Sequence, residues 1–410
     1  MKTKFTVISA LSVLTALSAS AKPTFFLPEH LYAAPGVECN VYFSNIFESF
    51  TPNRYAYEAL AVKGKSQVER WTWTPTEADA GTKVKLVINA WSDDAPVASV
   101  TTTVHVARAP QPGADQRKIT FALLAASLTN SRYQDRIMKD MRENGYPLFT
   151  PVGSRPSAED RAKDPARAAH DGYGGFSFDS FLTRFAMTVD EIDNLQSEAE
   201  KEQLRKFGVK LDSGTKWRKS LLRSPLVAIR NGEKVLDVQG WLDRVNGGAA
   251  PNFIVIELGV NGTFGQREAT LDDYIRDEQI AKAKQLVAAL RAVAPEAIIG
   301  ICTEPVGCGQ DGYGQNYAAS ISLIQGRRNI FRISRALKTW VESAGDPKLV
   351  LVPLAQSIDP VYGFIRTSSP ANACTTEKKV RDHNALHPAL AGGCQLGDAI
   401  YAWLANTLSR

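Results

Sequence analysis

The chain has 410 residues, of which 44% are hydrophobic and 22% charged. That is enough apolar material to exclude intrinsic disorder, and more length than one domain ordinarily holds, so two domains are expected. Its 48 lysines and arginines against 43 acidic residues leave +5, an excess too thin over this length to mark a dedicated nucleic-acid binder.

Lys2 and Lys4 precede an apolar stretch from Phe5 to Leu17, and Ala19-Ser20-Ala21 offers small residues for cleavage. This is the pattern of a signal peptide over residues 1–21, removed after Ala21. The stretch is shorter than the roughly 20 residues that span a bilayer, and no later segment is apolar for that length. The expected product is an exported protein, periplasmic or extracellular, with no transmembrane anchor.

Residues 22–108 read as short β segments between turn residues. Cys39–Phe43, Arg70–Thr74, Lys83–Ile88 and Val100–Val106 alternate or are rich in β-branched and aromatic residues, which suit a half-buried pleated surface. The segment Trp73-Thr74-Pro75-Thr76-Glu77-Ala78-Asp79-Ala80-Gly81 resembles the strand-to-corner sequence of immunoglobulin-like modules, so a small β-sandwich is expected here. Trp71, Trp73 and Trp91 offer rings for stacking on sugars, although tryptophans in a sandwich usually belong to its core. Ala109-Pro110-Gln111-Pro112-Gly113 begins a stiff linker over residues 109–117.

From residue 118 to 410 apolar strands alternate with amphipathic helices, which predicts a parallel sheet covered on both faces. Strands are expected at Ile119–Leu124, Phe253–Leu258, Ile298–Ile301 and Leu349–Pro353, and helices at Tyr133–Glu143, Ile280–Val293 and Leu396–Leu408. Residues 197–235 form a charged insertion that reads as a solvated excursion, with a substrate-facing lid as the alternative. Of the five cysteines, Cys302 with Cys308 and Cys374 with Cys394 are candidate pairs in an oxidising compartment, leaving Cys39 as a small buried hydrophobe.

Ligands of open α/β sheets bind outside the carboxyl ends of the strands. Four positions stand there or in Gly-rich loops: Ser127, Gly174-Gly175, Gly259-Val260-Asn261-Gly262 and His387-Pro388. Each has a plain reading. Ser127 could cap a helix, Asn-Gly is a turn signal, a Gly pair can be a flexible loop, and His387 can be a surface residue. A metal cluster from His170, His383, His387 and Asp382 is disfavoured, because no zinc-ligating spacing is present. His170 is expected instead to shape the mouth of the site.

Taken in order, these blocks resemble the SGNH (GDSL-type) hydrolase family over residues 118–408. They are Leu123–Thr129, His170–Ser177, Leu258–Asn261 and Asn384–Pro388. The nucleophile elbow of ordinary α/β-hydrolases is absent. The resemblance implies a three-layer, flavodoxin-like α/β hydrolase domain in which Ser127 is the nucleophile and His387 the base. Ser127, Gly175 and Asn261 would form the oxyanion hole, with no cofactor. Departures from the pattern are Ala125-Ala126 for the family's Gly-Asp before the serine, Gly262 for the Asp after the asparagine, and Asn384 for the triad Asp three residues before the histidine. Either Asn384 or Asp382 would orient His387. Family habit points to an esterase that removes acetyl groups from carbohydrate. The alternatives are a general carboxylesterase or lipase, and a degenerate glycan-binding scaffold without turnover.

Overall fold

The computed structural model describes residues 23–49, 51–93, 95–110, 112–156, 158–184, 224–231, 233–316 and 321–409. The expected signal peptide lies outside them, as do residues 197–223 and 232 of the charged insertion.

The N-terminal part carries β1 (His30–Ala33), β2 (Cys39–Tyr42), β3 (Ala56–Leu60), β4 (Lys65–Ser66), β5 (Arg70–Trp73), β6 (Lys83–Ser92) and β7 (Ala95–Val106). They form two sheets, β1-β7-β6-β3 and β2-β5-β4. Over Lys83–Ile88, inward Val84, Leu86 and Ile88 are buried, whereas Lys83 and Lys85 are exposed, the alternation of a sheet with one wet face. Both sheets contribute to one apolar cluster that contains Leu31, Val41, Trp71, Trp73, Leu86 and Val104. Trp71 and Trp73 are therefore core residues and present no stacking surface.

This β part is docked on the rest of the chain. The Asn45 side chain donates to the carbonyls of Ala355 and Ile358, at 3.2 and 2.7 Å. Asn406 donates to the Ala33 carbonyl at 2.9 Å. Ala34 and Ala107 belong to the apolar cluster of the C-terminal part. The intervening Pro110 ring packs so close to Gly145, at φ +99°, that a side chain there would collide with it.

In the C-terminal part, β8 (Ile119–Ala125), β9 (Phe149–Val152), β10 (Asp171–Gly172), β11 (Phe253–Glu257), β12 (Ile298–Cys302) and β13 (Leu349–Val352) are all parallel. The path runs β9-β8-β11-β12-β13, with the short β10 on the carboxyl end of β8. The five long strands thus have the flavodoxin-like order 2-1-3-4-5. Every residue of β8 is buried, as a central strand between two helical layers requires. Phe121 and Leu123 face one layer, with helices α1 (Tyr133–Glu143) and α6 (Leu390–Leu408). Ala122 and Leu124 face the other, with α3 (Val238–Asn246), α4 (Ala281–Val293) and α5 (Leu323–Ser343). A short α2 (Phe178–Thr183) follows the Gly-rich loop.

Two helices exceed their expected lengths. α4 continues a helix that begins at Glu268 and passes through a π-helical stretch, Ile275–Ile280. α6 starts six residues before Leu396 and runs through Gly392 and Gly393. A side chain at Gly392 would strike the Gly363 carbonyl, and one at Gly393 the Ser131 carbonyl. The close approach rewards glycine inside this helix more than its conformational entropy penalises it.

The expected disulfides are not formed, and all five cysteines are free. Cys302 is core at the end of β12. The Cys308 thiol donates to the Asn384 carbonyl at 3.2 Å, and Cys39, only partly buried, donates to the Tyr32 carbonyl. Cys374 and Cys394 are exposed. Among the described residues, no helix is long and apolar enough to cross a membrane.

Candidate active site

The sheet reverses its winding between β8 and β11, and Ser127 and Asn261 follow those two strands directly. Neighbouring crossovers leave on opposite faces there and open a crevice. A cavity of about 1050 Å³ occupies it, lined among others by Ser127, Gly175, Asn261 and His387.

Ser127 opens a 3₁₀ turn, Ser127–Ser131, and its side chain caps no helix. Its Oγ lies 2.8 Å from His387 Nε2. On the other side of the ring, Nδ1 lies 3.0 Å from Asn384 Oδ1. Oδ1 also accepts the backbone N–H groups of Leu386 and His387, both at 3.0 Å. Those amides can bond only to an acceptor, so the oxygen of the Asn384 amide must face the ring. Nδ1 therefore carries the hydrogen, and Nε2 presents its lone pair to the serine hydroxyl. Asn384 fixes the tautomer that a triad aspartate would fix, without its charge.

Asp382 does not share this task. Its carboxylate accepts the Gly309 N–H at 3.2 Å and pairs with Arg366 at 3.4 Å. It ties the hairpin of β14 (Arg366–Pro370) and β15 (Lys378–Asp382) to the loop that carries Cys308. The His387 loop is held separately, by Cys308 N–H on the Ala385 carbonyl at 3.0 Å and Ala389 N–H on the Gly363 carbonyl at 2.8 Å.

Burial lowers the His387 pKa from its ordinary value, so the ring stays neutral to lower pH. Asn384→Asp is expected to raise kcat about tenfold by stabilising the imidazolium. The same carboxylate favours the protonated ring, so the acid limb of the pH–kcat/KM profile should move upward, from below about pH 6.5 in the wild type. Profiles of both proteins test this, and an unmoved limb would rule out Asn384 as the ring's electrostatic partner.

Ser127, Gly175 and Asn261, expected to supply the oxyanion donors, line the same cavity. The backbone amides of Ser127 and Gly175 donate to nothing among the described residues. Gly175 has φ +76°, a left-handed conformation that suits glycine, and is open on its Cβ side. Asn261 Nδ2 donates to the Phe176 carbonyl at 2.9 Å, which leaves its second amide hydrogen. The absence of an Asp after Asn261 has a steric cause. Gly262 adopts φ +82°, and a side chain there would collide with the Tyr274 hydroxyl.

The Gly174-Gly175 loop is anchored by Asp171, a buried carboxylate that accepts from Ser154 N–H at 3.2 Å, Tyr173 Oη at 2.9 Å and Trp241 Nε1 at 2.9 Å. His170, also buried, accepts the Gly172 N–H on Nδ1 at 3.0 Å, so its hydrogen sits on Nε2. Burial, with help from neighbouring arginines, pushes its pKa down to about 3. Among the described residues no cluster of three His, Cys, Asp or Glu side chains has the placement to hold a metal ion.

Sequence reasoning missed the two carboxyls behind the nucleophile. Glu257 ends β11, and its Oε2 is 3.4 Å from both Ala126 N and Tyr133 Oη. It therefore braces the residue before Ser127, where the family's Gly-Asp is absent. Glu304, fully buried, lies beside Glu257. Glu257 Oε1 and both Glu304 oxygens lack a protein donor among the described residues, and burial, with the Glu257 charge acting on Glu304, favours a protonated carboxyl there. In sequence, Glu257 reads as the polar end of an apolar strand, and nothing marks Glu304 as its partner.

Burial raises both carboxyls, Glu257 to about 7. A folded-state pKa above the unfolded value stabilises fully below about pH 4.5, and that stability is lost as pH rises through about 7. Glu257→Gln is expected to remove this loss. The difference in thermal midpoint, variant minus wild type, should grow by a few degrees between pH 5 and 8. A difference flat with pH would mean that Glu257 does not titrate in the fold.

No family model matches the chain, and no curated protein does. Among solved structures, it is similar to a carbohydrate esterase family 3 protein from Talaromyces cellulolyticus, at 13% identity over 71% of this chain and 98% of that one, with a TM-score of 0.37. It is similar to a carbohydrate esterase family 2 enzyme plus carbohydrate binding domain from Corynascus thermopiles, at 12% identity over 92% of each chain and a TM-score of 0.35. A third is phospholipase A1 from Streptomyces albidoflavus NA297, at 13% identity over 71% of this chain and all of the other, with a TM-score of 0.32. These neighbours are carbohydrate esterases and a phospholipase.

Proposed function

We propose that the chain is an exported SGNH-type serine esterase that removes acetyl groups from carbohydrate, with an immunoglobulin-like module at its N-terminal end. The observation that carries the chemistry is the relay Ser127 Oγ, His387 Nε2, His387 Nδ1, Asn384 Oδ1, with its hydrogens in the productive order. His387 takes the hydroxyl proton as Ser127 attacks the ester carbonyl, and returns it to the departing alcohol. The oxyanion is met by the N–H groups of Ser127, Gly175 and Asn261. Water then attacks the acyl-enzyme, with His387 again as base, and the acid leaves.

The acetyl and carbohydrate parts of the reading draw on the family resemblance of the sequence. Release of p-nitrophenol from acetyl, butyryl and octanoyl esters tests it. Preference for acetyl is the expected result, whereas efficient octanoyl turnover would favour a lipase. A second reading, a glycan-binding scaffold without turnover, draws on the uncharged Asn384. It predicts no hydrolysis of any ester by the folded protein.

A further inference from the structure

The cavity beside Ser127 is one-sided in charge. Three arginines, Arg132, Arg155 and Arg167, line it, and no carboxylate does among the described residues. Two of them are balanced from behind. Asp135 pairs with Arg132 at 2.6 Å and with Arg167 at 3.5 Å, and Asp164 lies 3.6 Å from Arg132. Arg155 has no acidic partner among the described residues. One of its Nη atoms donates to the Gly172 carbonyl at 3.0 Å, and its guanidinium lies over the Tyr173 ring, 5.1 Å from the centroid. These contacts hold the group beside the loop that carries Gly175, and its other N–H donors have no partner among the described residues. His170, which lines the same wall, is neutral and adds an Nε2–H donor without an acidic side chain.

We propose that this wall binds an oxyanion group, a carboxylate or a sulfate, on the alcohol portion of the ester, with Arg155 as the residue that reads it. This rests on the esterase reading and narrows its substrates to esters of acidic alcohols, such as acetylated uronic-acid or sulfated sugars. A guanidinium presents a planar fork that matches such oxyanions, and a fixed one forfeits little side-chain entropy on binding. Arg132 and Arg167, already paired, keep the approach cationic.

The test compares para-acetoxybenzoate and para-acetoxybenzenesulfonate with the neutral para-acetoxybenzamide, in wild type and Arg155→Gln. At low salt the wild type should show kcat/KM about tenfold higher for the anionic esters, the low end of what a charge-assisted hydrogen bond supplies. That ratio should fall severalfold in Arg155→Gln, and in wild type at about 0.5 M salt, where the Debye length is only a few ångströms. Preference between carboxylate and sulfonate identifies the source of the anion. A ratio of one or below, or a ratio indifferent to both salt and Arg155→Gln, overturns the proposal while hydrolysis of the neutral ester leaves the esterase reading intact. If the folded protein hydrolyses no ester, the esterase reading fails, and calorimetric titration with glucuronate and with sulfate decides the anion site. Binding weakened severalfold in Arg155→Gln supports it, and no binding to wild type overturns it. The salt dependence needs no variant, so misfolding of Arg155→Gln would not spare the proposal.

Discussion

Ser127→Ala is expected to lower kcat for p-nitrophenyl acetate by about 10⁵-fold, one decade less than a full triad loses. Removing the serine of a full Ser-His-Asp triad costs about 10⁶, and removing only the charge and orientation of its aspartate about 10⁴. This site begins without the charge but with the orientation, since Asn384 Oδ1 is pinned toward the ring by two backbone amides. Its starting rate therefore lies between those of a full triad and a triad lacking its carboxylate, and less is left to lose. The substitution removes one oxygen at the cavity wall, so the thermal midpoint should stay within about 2 °C of wild type, as for surface changes that break no cap or core contact. Wild-type turnover by a folded Ser127→Ala protein would place the nucleophile elsewhere.

Asn261→Ala is expected to lower kcat by about 10²- to 10³-fold with little change in KM. One oxyanion donor contributes about 3 kcal/mol at the transition state and little in the ground state. The side chain also holds the Phe176 carbonyl, one residue beyond Gly175, so collapse of that loop is the competing explanation. The two are separable, because a displaced loop would raise KM as well, while loss of a transition-state donor falls on kcat alone. A KM-only effect would remove Asn261 from the oxyanion hole. Asn261→Asp, which swaps the donor for an acceptor against the same carbonyl, should be at least as damaging.

The layered architecture of residues 118–410 was legible because its determinants are local. The apolar runs at Ile119–Leu124 and Phe253–Ile256 suit strands covered on both faces, and every residue of β8 and β11 is buried. Ser127, Gly175, Asn261 and His387 were also legible, as strand-end and loop positions in family order, and the fold brings all four to one cavity.

What the sequence left open were choices between residues close in the chain but differing in partners. Asp382 and Asn384 are two residues apart. The β14–β15 hairpin turns Asp382 toward Arg366 and Gly309, and the loop turn after it delivers Asn384 to the ring. The cysteine pairs looked plausible by spacing, but thiol placement depends on packing. Gly392 and Gly393 lie inside α6, ahead of the expected start at Leu396, because the Gly363 and Ser131 carbonyls occupy the space that side chains there would need.

The sequence by itself determined the alternation of strands and helices, and which short segments sit at strand ends, because hydrophobic period and turn chemistry act within a few residues. Only the tertiary structure decided that Glu257 and Glu304 meet behind Ser127, that Asn384 sets the tautomer of His387, and that Arg155 lines the cavity with no acidic partner among the described residues. In the site, hydrogen-bond partners and dielectric surroundings are set by residues as far apart as Ser127 and His387, 260 positions, and no local pattern encodes them.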